Sequence, residues 1–280
     1  MSSAMGAKRA ADGAAPAAKK AKATPKPKAK PNPGAVNCQP APTTPGKLVL
    51  PQRVKDLKSG SPGPGPVVYW CSRDQRVADN WALIYAADTA AQQGVPVAVV
   101  FNLVTAFLGA GARQFGFMIR GLQELEGTLA AKNIPFFLLE GNPAETIPKF
   151  VSQHKAGLLV TDFSPLRLGV QWRTEVASKI GIPFHEVDAH NIVPAYCASD
   201  KLEYGARTIR PKITRQLQVF CTEFPPLPAV AKWTGAAPAR VDWASVLKRA
   251  LEAGKAVPEV SWCTPGEKAG LEALVGGGKK

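Results

Sequence analysis

Four short runs of this chain are apolar along their whole length: 67–71 (VVYWC), 96–101 (PVAVVF), 134–139 (IPFFLL) and 157–161 (GLLVT). A strand with one wet face alternates apolar and polar residues; a strand covered on both faces does not. A fifth run, 182–187 (IPFHEV), is shorter and more mixed. Between the runs lie stretches with helical spacing, 79–93, 113–132, 143–154 and 166–180. Gly94 follows the first, and Pro143 opens the third where its missing N–H does no harm. This rhythm predicts a doubly wound, Rossmann-like parallel sheet of five strands with helices on both faces. No GxGxxG or Walker A pattern follows any strand, so a dinucleotide site of the usual kind is not supported.

Charge divides the 280 residues differently. The first 50 hold eight Lys and one Arg against one Asp, +8 of the formal +14, and almost no large apolar side chains. Such a segment cannot bury enough surface to offset its ordering, so residues 1–60 are expected to form a disordered basic tail. Lys8-Arg9 followed by Lys19-Lys20 and Lys22 fits a bipartite nuclear signal. A chloroplast or other organellar transit peptide is the alternative; the lack of acids suits it, the Lys and Pro excess does not. The remaining 230 residues carry 26 basic and 20 acidic groups. Five cysteines without a CxxC pair fit a reducing compartment, and three histidines without ligand spacing predict no metal site. No apolar run reaches membrane-spanning length, so no membrane partner is expected.

Open α/β sheets bind ligands beyond the carboxyl ends of their strands. Four loops fall there: Ser72-Arg73-Asp74-Gln75-Arg76 leading to Asp79, then Asn102, then Glu140-Gly141-Asn142, then Asp162-Phe163-Ser164-Pro165. The first loop either holds a polar ligand at a helix start or is a local ion-pair cluster with Asp79 as cap; composition favours the second. Asp162 either meets a ligand or closes an Asx-turn before Pro165. Residues 188–213 are too polar and broken for a core element, and loops of this length are functional or connect to something else. Tyr196, Tyr204, Arg207, Arg210 and Lys212 interleave aromatic and basic groups there, suited to phosphates and bases.

Three pieces of that stretch, HNIVP at 190–194, ASDKLEY at 198–204 and ARTIRPKI at 206–213, stand in an order and spacing that resembles the class II cyclobutane-pyrimidine-dimer photolyases. WCSRDQRVADNWAL at 70–83 is similar to that family's WxxRDxRxxDNWAL, and VTDFSPLR at 160–167 also fits its pattern. Tyr196 stands where the family usually has Trp. The resemblance spans about 51–275.

The resemblance implies a light-dependent repair enzyme, a deoxyribodipyrimidine photolyase. Excited reduced FAD gives an electron that splits the dimer, after the lesion is flipped out of the duplex. It implies an antenna chromophore, a deazaflavin or a folate, held by Trp70, Arg73, Asp74, Phe101, Asp162 and Phe163 in the α/β domain, 61–190. It implies that 191–260 is an interdomain linker with a short helix. Arg207, Arg210 and Lys212 then contact DNA or, preferably, the helical domain. SWCTPGEKAGLEAL at 261–274 resembles the opening of the family's FAD-binding helical domain, so the chain is expected to stop at a truncated start of it, 261–280, without catalytic residues. The expected partner is dimer-containing DNA, through a full-length monomer. The alternative is a standalone, non-catalytic antenna-binding or partner-docking module.

Overall fold

The computed structural model describes residues 47–254 and 256–276. The basic signal at 8–22 and most of the expected tail lie outside them. Five apolar runs form parallel strands, and a sixth strand precedes them. In chain order the strands are β1 (Val54–Lys58), β2 (Val67–Cys71), β3 (Val97–Leu103), β4 (Phe136–Glu140), β5 (Leu158–Asp162) and β6 (Phe184–Val187). The helices are α1 (Trp81–Gln93), α2 (Ala112–Ala130), α3 (Pro143–Gln153), α4 (Arg167–Lys179), α5 (Ala195–Ala198), α6 (Ala206–Thr214), α7 (Leu217–Phe220), α8 (Trp243–Ala253) and α9 (Glu267–Leu274). The sheet order is β1-β6-β5-β2-β3-β4. The doubly wound expectation holds, and β2/β5 is its switch point.

Two expectations change. Residues 54–58 are not tail but an edge strand, antiparallel to β6, with Asp56 opposite His185. Residues 188–213 are not one long irregular loop: α5 and α6 fold there and, with α7 just after them, surround a small cluster of Val193, Cys197, Ala198 and Phe220.

Strand parity sorts the core into two layers. Val67, Tyr69, Val97, Val99, Phe101 and Val160 face α1 and α2. Val68, Trp70, Ala98, Val100, Leu159 and Phe184 face α3 and α4. Helix α3 carries Pro148 inside it. The missing N–H leaves the Ala144 carbonyl without its helical donor, and Lys179 Nζ of α4 takes that carbonyl at 2.9 Å. Lys58 of β1 donates to the Ile180 and Ala177 carbonyls at the end of α4. The Pro-Gly breaker before β2 crosses the α3–β5 turn at backbone distance: a Cβ on Gly157 would stand 2.3 Å from the Gly63 carbonyl oxygen.

The Pro-rich stretch after α7 is a strap along the surface. Phe224 lies against Trp81 at 4.4 Å between centroids, and Leu227 and Val230 pack on the α1/α2 core layer. Ala231 bridges Pro96 at the opposite end of the sheet, and Trp233 rests on Phe137 and His154. Helix α8 then returns along β4 and α2, with Trp243 Nε1 donating to Glu126 at 2.6 Å and Arg249 pairing with Glu140 at 2.7 Å.

Candidate functional site

The chemistry-bearing loops converge where β2 and β5 end. Asp162, the last residue of β5, is fully buried. Its Oδ1 accepts the Tyr69 hydroxyl proton at 2.6 Å, and its Oδ2 accepts the backbone N–H groups of Ser72 at 2.7 Å and Arg73 at 2.8 Å. Burial, with Asp74 nearby, pushes the Asp162 carboxyl above its usual range, and these donors pull it back. Burial and Asp162 together hold the Tyr69 hydroxyl well above its ordinary value, so it remains a donor. The crevice in which doubly wound sheets commonly seat a ligand is therefore bridged by the protein's own carboxylate.

Asn80 completes the node from the first loop. Its Oδ1 accepts from Ala82 and Leu83 N–H, both at 3.0 Å, and so caps α1. Its Nδ2 donates to the Tyr69 hydroxyl oxygen and to the Asp74 and Arg76 carbonyls. The expected cap, Asp79, instead adopts a left-handed backbone with φ 53°. Asp74 is buried, with Oδ1 on Arg76 at 2.6 Å and 3.7 Å from His190 Nδ1. Its Oδ2 has no hydrogen-bond partner.

The six expected antenna residues divide in two. Trp70 is 4% exposed and stacked 6.4 Å from Phe184 in the α3/α4 layer. Phe101 is buried in the opposite layer, and Asp162 offers no exposed oxygen. These three face the interior because residues inside a strand point to the sheet faces, not to its end. Arg73 and Phe163 stay half-buried at the edge: Arg73 Nη1 donates to the Phe163 carbonyl at 3.3 Å, and the Phe163 ring meets Tyr196 edge-on at 6.1 Å. Asp74 lies beside them with its unpartnered oxygen. Arg207 and Arg210 stand exposed on α6, while Lys212 turns away to Glu203 at 2.6 Å and Ser199 at 2.9 Å. Lys212, with Thr208 and Ser199, holds the Glu203 carboxyl down at about 2.

Arg53 was not among the candidates, yet it organises the exit of β6. It is 2% exposed and donates to the carbonyls of Asp188 (3.1 Å), Asn191 (2.9 Å), Ile192 (2.7 Å) and Phe220 (3.2 Å). Its guanidinium lies over the Trp81 ring at 4.9 Å. Asp188 closes the same loop by accepting from Asn191 N–H at 3.0 Å and Ala195 N–H at 2.8 Å. The HNIVP piece is thus a shaped loop, held from inside by one arginine and one aspartate. Glu267 at the start of α9 accepts from Val77 and Ala78 N–H, both at 2.7 Å, tying the last helix to the first loop. Among the described residues no group of three or more His, Cys, Asp or Glu is placed to hold a metal, and no helix is long and apolar enough to cross a membrane.

This fold and this edge define a Rossmann-like α/β domain whose strand-end loops are fixed by buried side chains. The DNA photolyase family model matches residues 67–231. A deoxyribodipyrimidine photo-lyase of Arabidopsis thaliana is 51% identical over 237 residues, covering 81% of this chain and 48% of the relative. That of Oryza sativa subsp. japonica is 46% identical over 231 residues, covering 80% and 45%. A bacterial class III photolyase of Agrobacterium tumefaciens matches in structure with TM-score 0.51 at 18% identity, over 78% of this chain and 45% of that one. An archaeal photolyase of Sulfolobus tokodaii, solved with two FAD molecules, matches with TM-score 0.53 at 16% identity, over 75% and 46%. The chain belongs to the DNA photolyase family. It spans about half the length of these relatives.

Proposed function

We propose that these residues form the α/β half of a light-dependent photolyase acting on cyclobutane pyrimidine dimers. The observation that carries this reading is the 51% identity over 237 residues with the Arabidopsis enzyme. When bound, reduced FAD supplies the electron that splits the dimer. None of the described residues is assigned to it; on this reading it is held by the portion of the relatives that this chain does not match. The expected antenna site fits in part. Arg73 and Phe163 offer a cation and a ring at one edge, groups a flat, polar-rimmed chromophore needs, while the unpartnered oxygen of Asp74 is buried beneath them. Trp70, Phe101 and Asp162 shape that edge from below without facing it.

The test of activity is a chimera in which these residues replace the matched 237 of the Arabidopsis relative. Blue-light-dependent loss of dimers from DNA is expected; a folded, FAD-loaded chimera without repair refutes the reading. The 280-residue chain by itself is expected to neither repair nor retain stoichiometric FAD. Titration with a deazaflavin and with a folate, followed in the near-ultraviolet and blue, tests the antenna edge. Arg73→Ala and Phe163→Ala should weaken whichever binds by about tenfold, as loss of about 1.4 kcal/mol does. No band from either chromophore counts against the site. Nuclear targeting through Lys8-Arg9 and Lys19-Lys20 is proposed on sequence alone, and a fluorescent fusion found in chloroplasts would overturn it. A monomer is likewise proposed, and a dimer mass on size-exclusion light scattering would overturn that.

A further inference from the structure

Away from the strand-end edge, three elements bring a phenol, an imidazole and a carboxylate into a row. Tyr85 of α1 meets His185 of β6, its hydroxyl oxygen 2.8 Å from Nδ1. Asp56 of β1 stands on the far side of the same ring, its Oδ1 3.5 Å from Nε2. A carboxylate facing Nε2 keeps the ring proton on that nitrogen, so Nδ1 presents its lone pair to the phenol. Burial pushes the Tyr85 hydroxyl up to about 12 and His185 below its ordinary value. At neutral pH the phenol therefore holds its proton and the imidazole is free to take one. Tyr85 is only half-buried, so a small molecule in solvent can approach it. The other three tyrosines lack this combination. Tyr69 is 1% exposed, and its partner Asp162 already accepts from two backbone N–H groups. Tyr196 donates to the Arg53 carbonyl, which cannot hold a proton. Tyr204 is 91% exposed, with no base beside it among the described residues.

We propose that Tyr85 is a redox-active tyrosine that gives one electron to a photo-excited oxidised flavin while its proton passes to His185. The Tyr85 O–H bond breaks, an N–H bond forms at His185 Nδ1, and the flavin is reduced by one electron. What remains is a neutral phenoxyl radical beside an imidazolium, with the Asp56 carboxylate facing the new positive charge. Loss of the electron alone would leave a phenol cation radical, a far stronger acid than the phenol. A base already in hydrogen-bond contact removes that obstacle. When an electron returns, the proton moves back along the same bond, so the site is reversible. Asp88, one turn further along α1, is the other charged group acting on the phenol. The photolyase reading supplies only the oxidant; the proton acceptor is this chain's own.

The test uses the full chain carrying Tyr204→Phe and Trp262→Phe, which removes two exposed rings. Free flavin mononucleotide and blue flashes are applied without DNA. Flash absorption and electron paramagnetic resonance should show a tyrosyl radical that forms more slowly in deuterated water. Tyr85→Phe should abolish it. His185→Gln keeps a hydrogen-bond acceptor but not a base, and loss of a positioned base should slow radical formation about 100-fold. Asp56→Asn alters only the orientation of the ring and should cost less than His185→Gln. Four results overturn the proposal: no tyrosyl signal, a signal that survives Tyr85→Phe, a rate unchanged by His185→Gln, or no deuterium effect in the parent. The first and last need no substitution at the site, so loss of fold in a variant leaves the test decisive. Free flavin stands in for any bound one, so failure here and failure of the repair experiment are read separately.

Discussion

Arg53→Met is the substitution that most directly tests how the strand-end loops are held. Two of its four acceptors, the Asp188 and Phe220 carbonyls, are buried; the Asn191 and Ile192 carbonyls are partly wet. A buried acceptor left without a donor costs about 1–3 kcal/mol, while the two wetter carbonyls can recover water. Loss of the contacts over Trp81 and Phe220 adds about 0.5–2 kcal/mol. Relief of the guanidinium's burial penalty, the same burial that lowers its pKa, offsets part of this. The net expectation is about 3–4 kcal/mol. In urea, with a slope of about 3 kcal/mol/M for a chain of this size, the midpoint should fall by about 1 M. Arg53→Lys keeps the charge but lacks the fork, and should lose roughly half as much. If Arg53→Met lies within about 1 kcal/mol of wild type, the four carbonyls rehydrate freely and the loop is not held in the way described.

Three further outcomes are expected. Lys179→Met should lower stability by about 1–2 kcal/mol by stranding the Ala144 carbonyl, and Pro148→Ala, which restores the helical donor, should remove most of that loss in a double-mutant cycle; additive effects would show that Lys179 does not serve that carbonyl. His185 is pushed below its ordinary value by burial, with Asp56 opposing, so the folded state binds fewer protons than the unfolded one; stability present above pH about 6.5 is lost as pH falls toward the folded value. His185→Gln should flatten the acid limb of thermal melts between about pH 6.5 and 5, and an unchanged slope would locate the effect elsewhere. Gly157→Ala places a methyl carbon on the Gly63 carbonyl; a cost above about 2 kcal/mol by thermal melt is expected, and a neutral effect would mean that the Pro-Gly crossing can shift.

The parallel strands were legible because a strand buried on both faces must be apolar throughout, as 67–71 and 97–101 are. Strand β1 was not: VKDLK is half charged, which suits an edge, and it follows a basic tail whose composition overwhelms it. Helices α5 and α7 have four residues each, too few for any periodicity to show, and α6 is interrupted by Pro211. At the site, the sequence places Arg73, Asp74, Asp162 and Phe163 at strand ends, but whether a carboxylate faces a ligand or its own backbone depends on partners ninety residues away. Trp70 and Phe101 could have been set aside from strand parity alone. Asn80 was recoverable from its preference for helix starts. Arg53 left no local signal, because its acceptors are all backbone carbonyls.

The strap from Phe224 to Trp233 crosses the domain to the far end of the sheet, α8 returns along α2, and Glu267 fastens to the Val77 and Ala78 amides. A flexible tether lets its cargo roam, so that encounter is governed by a random-walk concentration. A connector laid down against its own domain has no slack. Anything joined beyond α9 is mounted at a fixed bearing beside the Ser72–Asn80 loop, and distances from that loop are set by geometry rather than by chance. Lengthening the strap would move nothing unless its anchors were broken first.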